Sequence, residues 1–141
     1  MARVRSVARR LTLVGCVFCE RLGPGQSNGL ASEYAAAFGD AFPVSPGHTL
    51  VVPRRHEADF FALTAEEQAA VWELAAVVVG ELARSHQPDG FNVGLNAGVA
   101  AGQTVRHAHV HVIPRYVGDI EDPRGGVRWV KPAQAPYWDG R

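Results

Sequence analysis

The stretch RHAHVHVIPR, residues 106–115, alternates histidine with small apolar residues and constrains the fold more than any other part of the chain. Successive side chains of a strand point to opposite faces, so His107, His109 and His111 share one face. The apolar residues between them share the other face, which predicts a strand that packs on a core. Three imidazoles in register indicate a site, because a merely solvated face seldom carries such a set. The chain should therefore contain a sheet with one buried face and one functional face.

The segments around this strand predict an α+β architecture. Thr64 and Glu67 form a capping-box pattern at the start of an apolar helical stripe, which predicts one long helix over about residues 65–85. Further strands are predicted from apolar runs and alternation bounded by turn residues, at 32–40, 49–53 and 91–96. Because strands lie on both sides of the helix in the sequence, we expect a sheet with helices on one face.

The chain is expected to form one domain with a basic arm. Its 141 residues suit a single hydrophobic core, but residues 1–10 carry four arginines and no acid. We expect residues 1–15 to be a loose basic arm, or the result of a start codon assigned too early. Residues 16–141, including the C-terminal tail, are expected to form the domain.

Composition excludes several classes of function. The formal net charge is zero, which argues against binding of extended nucleic acid. No apolar run approaches the roughly 18–20 residues needed to span a bilayer. The apolar run after the first arginines is shorter than the ~7–15 residues of an export signal, so we expect a cytoplasmic protein.

A glycine-bearing loop, NAGVAAGQT at residues 96–104, leads into the histidine strand. Its backbone amides, the Gln103 amide and the Thr104 hydroxyl are donors suited to an anionic phosphoryl group. The histidines suit both metal ligation and phosphoryl chemistry, and the adjacent loop favours the second. Gln103 and Thr104 also suit a plain role in capping the loop.

Cys16 and Cys19 are the only cysteines and stand in a C-x-x-C spacing. In a protein without an export signal, this pair predicts a metal half-site or a redox pair rather than a structural disulfide.

The segment HAHVHVI, residues 107–113, resembles the signature of the histidine triad (HIT) family. The stretches PVSPGHTLVVPRRH and DGFNVGLNAGVAAGQTVRHAHVHVIPR are also similar to that family, so the resemblance covers roughly residues 16–115. It implies a HIT-like fold, with an antiparallel sheet of about five strands, one long helix and a shorter helix. The tail GDIEDPRGGVRWV is similar to that of a bacterial subgroup of nucleotide hydrolases.

The resemblance implies nucleotidyl transfer to water, with His109 as the nucleophile that forms a nucleotidyl-histidine intermediate. The positions that match the family's phosphate contacts are His111, Gln103, Thr104 and Asn96. Asp40 matches the acid that binds the ribose, and Phe38 matches a wall of the base pocket. Both residues also suit purely structural roles, since Asp is common before turns and Phe is common in hydrophobic cores.

In zinc-containing relatives the first histidine of the triad binds the metal. The matching ligand set in this chain is Cys16, Cys19, His56 and His107. A closed set of two cysteines and two histidines is typical of structural zinc, without an open position for substrate. As a zinc ligand, His107 could not protonate the leaving group, which mildly favours a polyphosphate leaving group over an amine.

The resemblance implies a homodimeric hydrolase of dinucleoside polyphosphates such as diadenosine tetraphosphate, with AMP- or GMP-containing substrates. Magnesium can accompany the polyphosphate. One alternative is hydrolysis of nucleoside 5′-phosphoramidates through the same intermediate. Another is a nucleotide-binding regulatory module with little turnover.

Overall fold

The computed structural model describes residues 13–23 and 29–140. Residues 1–12, most of the predicted basic arm, lie outside the described residues. The division into an arm at 1–15 and one domain at 16–141 therefore stays a prediction.

The described residues form an α+β fold around a four-stranded antiparallel sheet. Its strands are β1 (Ala35–Gly39), β2 (Thr49–Pro53), β3 (Gly90–Leu95) and β4 (Val110–Arg115), in the spatial order β1-β2-β4-β3. The predicted fold class is confirmed, and four strands with one isolated bridge between Ala31 and Ala36 stand where about five strands were expected.

β1 is shorter than the predicted strand at 32–40 because its beginning forms a turn. Ser32 accepts a hydrogen bond from the Ala35 amide through its hydroxyl, and its own amide donates to the Ala35 carbonyl. This local pairing uses the backbone groups that a longer strand would need.

Two helices accompany the sheet, α1 (Val17–Arg21) and α2 (Ala65–His86). The capping box predicted for α2 is present: the Thr64 hydroxyl accepts from the Glu67 amide, and the Glu67 carboxylate accepts from the Thr64 amide. α2 ends where Gln87 adopts a left-handed conformation with φ of 49°. Among the described residues, no helix is long and apolar enough to cross a membrane.

The histidine segment has the two faces that its alternation predicts. Ala108, Val110 and Val112 are buried in the core cluster that α2 covers. The strand pairing begins only at Val110, three residues later than the alternation indicated. β3 ends at Leu95, the partner of Val110, and the pairing of β4 with β2 stops at Val51. Residues 107–109 are instead held by side-chain contacts and by the Ala108 amide, which donates to the Glu57 carbonyl.

The opposite face of the sheet carries the histidines and belongs to a different layer. Strand register places Asn92 beside Ile113 and Gly94 beside His111, so alternate residues of β3 join this face. Here α1 packs over one end of the sheet, so the two helices lie on opposite faces, and the prediction of helices on one face is wrong. This second apolar cluster consists of Cys16, Phe18, Cys19, Leu22, Ala36, Leu50 and Val52. The remaining part of the face lies open beside the histidines.

Candidate active site

His109 lies just before β4 with one ring nitrogen committed to the backbone. Its Nδ1 lies 2.8 Å from the His107 carbonyl oxygen, which can only accept, so Nδ1 carries the hydrogen. In the neutral ring the other nitrogen, Nε2, then holds the lone pair. The ring is 8% exposed and packs edge-on against Phe18 at a centroid distance of 5.1 Å. A buried, oriented imidazole with an unprotonated nitrogen is equipped to act as a nucleophile.

His48 and His111 form a directional chain of hydrogen bonds. The Val44 amide donates to His48 Nδ1 at 3.1 Å, so the hydrogen of the neutral His48 ring sits on Nε2. His48 Nε2 lies 2.9 Å from His111 Nδ1 and donates to it. The hydrogen of His111 is therefore on Nε2, which leaves that N–H as a donor for a further acceptor.

Burial keeps this pair of rings uncharged. Burial lowers the pKa of His111 to about 4, and the neighbouring His109 and His48 contribute to the same shift. Burial also lowers the pKa of His48, against an opposing effect of Asp40. At neutral pH His111 therefore offers a hydrogen bond without a positive charge.

Asp40 follows β1 and lies against the same pair. One carboxylate oxygen accepts from the Phe42 amide at 2.9 Å, and the other lies 3.4 Å from His48 Nε2. Ligand atoms of Asp40, His48 and His111 lie within 4.8 Å of one another, close enough for a metal site. The hydrogen bond between the two rings occupies the facing nitrogens, which favours a proton chain at this place.

These residues surround a cavity of about 440 Å³ on the open part of the histidine face. Its polar wall consists of Asp40, His48, Asn96, Thr104, His109 and His111, and its apolar wall includes Phe18, Leu50 and Val105. Arg21 of α1 lies at its margin and donates to the Gly39 carbonyl. A pocket of this size, with a few convergent polar groups, suits a small ligand.

Two of the predicted site residues lie away from the cavity wall. Gln103 donates from Nε2 to the carbonyls of Ala58 and Val105, and its Oε1 accepts from the Gly98 amide, so both ends brace the glycine loop. Phe38 lies behind Phe18, with ring centroids 5.5 Å apart. Their contacts with a substrate stay predictions.

The four cysteine and histidine residues predicted as metal ligands converge on one point. Cys19 Sγ lies 3.3 Å from His56 Nδ1, and both sulfur atoms lie 3.6 Å from His107 Nδ1. The cysteines are brought together by α1, in which Cys16 is the N-cap and accepts from the Cys19 amide. All four ligand atoms lie within 4.8 Å of one another.

The spacing fits tetrahedral zinc. With Zn–S of about 2.3 Å and Zn–N of about 2.0–2.1 Å, a tetrahedron has S···N edges of roughly 3.5 Å. His107 Nε2 donates to the Pro53 carbonyl at 2.8 Å, which turns the lone pair of Nδ1 toward the sulfurs. Burial lowers the pKa of His107 and keeps the ring neutral, as a ligand must be. The residues present can therefore hold zinc.

The match to known families agrees with this geometry. The HIT domain profile matches residues 30–118, which is more than half of the chain and includes His107, His109 and His111. The chain belongs to the HIT domain family. An uncharacterized HIT-like protein of Mycoplasma genitalium is 41% identical over 107 residues, covering 74% of this chain and 76% of the relative.

Two other HIT relatives bear on chemistry. An AP-4-A phosphorylase of Mycobacterium tuberculosis is 40% identical over 79 residues, which cover 55% of this chain and 40% of that longer enzyme. The crystal structure of a zinc-bound histidine triad family protein from Mycobacterium smegmatis aligns with a TM-score of 0.67 at 33% identity. That alignment covers 74% of this chain and 78% of the neighbour.

Sequence reasoning missed Phe18 and did not identify the contact of His48 with His111. Phe18 packs against both His107 and His109, and its position between two cysteines on one helical turn was the available signal. His48 contacts His111 directly, which its place before an apolar strand could not reveal. Both contacts depend on side chains that are distant in sequence.

Proposed function

We propose that this HIT protein hydrolyses dinucleoside polyphosphates, such as diadenosine tetraphosphate, through a nucleotidyl-histidine intermediate on His109. The observation that carries the proposal is the hydrogen bond from His109 Nδ1 to the His107 carbonyl, which leaves the Nε2 lone pair available beside the cavity. Family membership and the relative named as an AP-4-A phosphorylase support the same class of substrate.

The proposed reaction has two displacements. The Nε2 lone pair of His109 attacks the α-phosphorus, a P–N bond forms, and the bond to the bridging oxygen breaks. The electron pair of that bond leaves with the polyphosphate half. Water then attacks the same phosphorus, the P–N bond breaks, its electron pair returns to Nε2, and the proton lost by water passes to solvent. Each step uses a good leaving group, which is the advantage of covalent catalysis.

The donors around the cavity suit the charge that this reaction builds. His111 offers Nε2–H to a non-bridging phosphate oxygen, and the chain from Val44 through His48 holds that ring in the donating form. Thr104 and Asn96 line the same cavity with further donors. Asp40 lines it as well, and its carboxylate suits the ribose hydroxyls.

The metal cluster supports an anhydride over a phosphoramidate as the bond that is cleaved. We propose a structural role for a zinc ion held by Cys16, Cys19, His56 and His107. His107 is fully buried, with Nε2 bonded to Pro53 and Nδ1 turned to the sulfurs. It has no proton to give to a leaving group, and a polyphosphate needs little protonation whereas an amine needs it. Magnesium, where present, would accompany the substrate polyphosphate.

We also propose that the protein is a homodimer. Within the described part of the chain, β3 pairs only with β4, so its outer edge is open. Val93 on this strand is 37% exposed. An open edge strand invites pairing with a second copy, and sedimentation analysis would report the resulting mass.

The test is a substrate panel with a nucleophile variant. We expect purified protein to release AMP from diadenosine tetraphosphate with a higher kcat/KM than from adenosine 5′-phosphoramidate. His109→Asn should lower turnover by at least about 10³-fold, because the nucleophile is lost while the amide retains similar volume. His86→Asn, at an exposed ring that ends α2, is the matched control and should leave turnover unchanged.

Each outcome of this panel separates the candidate functions. Faster cleavage of the phosphoramidate would mean that the protein is a phosphoramidate hydrolase and that the P–N bond, not the anhydride, is its natural target. Tight nucleotide binding without turnover of any substrate would favour a nucleotide-binding regulatory module. Full activity of His109→Asn would overturn the nucleophile.

A further inference from the structure

A second cavity, of about 420 Å³, continues the histidine face of the sheet. On β4 the residues after His111 on this face are Ile113 and Arg115, and on β3 Asn92 lies beside Ile113. All three line the second cavity. Val44 contributes to the walls of both cavities, so they adjoin each other.

The polar groups in the second cavity already have partners. Arg115 donates to both carboxylate oxygens of Asp119, at 2.7 and 2.8 Å, and to the Asn92 side-chain oxygen at 2.6 Å. The Tyr116 hydroxyl donates to the Pro46 carbonyl at 2.8 Å. A phosphate would have to compete with Asp119 for the guanidinium. The cavity is therefore better suited to an uncharged ligand than to an anion.

Apolar side chains supply the rest of the wall, and the C-terminal tail contributes the largest of them. Ile113, Ile120, Pro123 and Trp129 line the cavity together. Trp129 is 40% exposed, and its Nε1 donates to the Arg124 carbonyl at 2.7 Å, which fixes the orientation of the indole. An oriented and accessible indole is suited to stacking on a planar ring.

Two glycines allow the tail to close this wall. Gly125 and Gly126 have φ values of +88° and +44°, which favour glycine. A Cβ at Gly126 would lie 3.0 Å from Asn92 Nδ2, and one at Gly125 would meet the Trp138 ring at 3.0 Å. The tail therefore lies close to Asn92 of β3 at Gly126, where a larger residue would meet that side chain.

We propose that this second cavity binds the nucleobase of the leaving nucleotide, stacked on Trp129. The inference rests on the proposed function and names the subsite for the half of the substrate that departs. Ile113 is two residues beyond His111, or roughly 7 Å along the strand. A short polyphosphate chain held at His111 can bridge this separation. The first cavity takes the nucleoside that becomes attached to His109, and the second takes the other base.

The experiment compares diadenosine tetraphosphate with adenosine 5′-tetraphosphate, which lacks the second nucleoside and ends in a free phosphate. Stacking of a base on an aromatic side chain predicts that the wild-type protein prefers the dinucleoside substrate in kcat/KM by at least about fivefold. Trp129→Ala should remove this preference, mainly through a higher KM for the dinucleoside substrate, and should leave adenosine tetraphosphate cleavage unchanged. Trp129→Phe should restore most of the preference.

Trp72→Ala is the matched control, because Trp72 is 42% exposed on α2 and lines neither cavity. It should retain the wild-type preference. Ile120→Ser shortens another side chain of the cavity wall and leaves the indole in place, and it should also reduce the preference. This variant replaces Trp129→Ala as the test if Trp129→Ala does not fold.

The possible failures are distinct. Equal cleavage of both substrates by the wild-type protein would overturn the second subsite while the proposed function stands. A loss that is equal for both substrates in Trp129→Ala and Ile120→Ser would also overturn it. Conversion of a dimer to a monomer by Trp129→Ala would assign the wall to an interface between copies. Cleavage of neither substrate by the wild-type protein would overturn the proposed function and the subsite together.

Discussion

Two clusters of imidazoles lie next to each other on one face of the sheet and use their ring nitrogens in opposite ways. In the metal cluster, the nitrogens of His56 and His107 converge with two sulfurs on a single point. In the reaction cluster, which consists of His48, His109 and His111, His48 donates to His111. The hydrogen bonds run in one direction from the Val44 amide through His48 to His111.

The backbone produces this difference. His107 gives its Nε2–H to the Pro53 carbonyl, whereas His109 gives its Nδ1–H to the His107 carbonyl. The same residue type therefore presents a lone pair to the metal cluster from Nδ1 and to the cavity from Nε2. A tautomer is set by the hydrogen bond at the other nitrogen, so a carbonyl two residues away can separate a ligand from a nucleophile.

The largest effect should come from breaking the metal cluster. Cys19→Ser replaces a soft sulfur ligand with a hydroxyl, and we expect bound zinc to fall from about one per chain toward zero. The free energy of unfolding should fall by more than about 3 kcal/mol, because metal binding and folding are coupled. Elemental analysis and urea denaturation measure the two quantities.

His109→Asn is the matched control for that experiment, because it removes an imidazole two residues from His107. It should keep the metal content of the wild-type protein. Loss of metal in His109→Asn would mean that the two clusters are not separate, and full retention in Cys19→Ser would mean that Cys19 is not a ligand.

A smaller effect, on catalytic efficiency, is expected when the chain of hydrogen bonds from Val44 through His48 to His111 is broken. His48→Ala removes the donor to His111 Nδ1 and frees that ring to take the other tautomer. We expect kcat/KM to fall about tenfold, the kinetic equivalent of one hydrogen bond of about 1.4 kcal/mol.

Metal content should not change in His48→Ala, and His48→Gln should recover part of the activity because its amide can still donate. An unchanged kcat/KM in His48→Ala would show that His111 does not depend on its partner for orientation.

The smallest effect is a dependence of stability on pH. The pKa of folded His111 is lowered to about 4 from an ordinary value of 6.5. Between these values the unfolded chain binds a proton that the folded chain excludes, so the free energy of unfolding falls as pH decreases from 6.5 to 4. The contribution is fully present above pH 6.5 and cannot exceed about 1.4 kcal/mol per pH unit.

Urea denaturation at pH 7 and pH 5 measures this slope. His111→Asn should have a shallower slope than the wild-type protein, and His86→Asn should match the wild-type protein. Identical slopes for His111→Asn and the wild-type protein would contradict the burial-driven shift.

Much of the fold could be predicted because it follows from local patterns. The strand at 49–53 and the start of the long helix agree with the structure, since an apolar run and a capping box act within a few residues. The beginning of β4 could not be predicted from alternation, because its pairing with β3 depends on where β3 ends, at Leu95. The turn at Ser32, which shortens β1, is likewise a choice between competing backbone partners.

The candidate site shows the same division. The C-x-x-C spacing and the resemblance to the HIT family predicted one ligand set of Cys16, Cys19, His56 and His107. In the structure the ligand atoms of these residues lie within 4.8 Å of one another. The amide of Gln103 could either bind phosphate or cap the loop, and sequence cannot separate these roles. In the structure its Nε2 donates to the Ala58 carbonyl and so braces the loop. The position of the C-terminal tail depends on tertiary structure, which places Trp129 in the wall of a cavity beside Asn92 and Ile113 of the sheet.

The sequence by itself determined that three imidazoles share one face of an extended segment, because that follows from backbone periodicity, and it placed two cysteines three positions apart. Only the tertiary structure decided which ring nitrogen each histidine presents and which cavity it meets. Those properties depend on carbonyls, amides and side chains from distant segments, such as Pro53 for His107 and Val44 for His48. Hydrogen bonds between such segments exist only once the chain has packed.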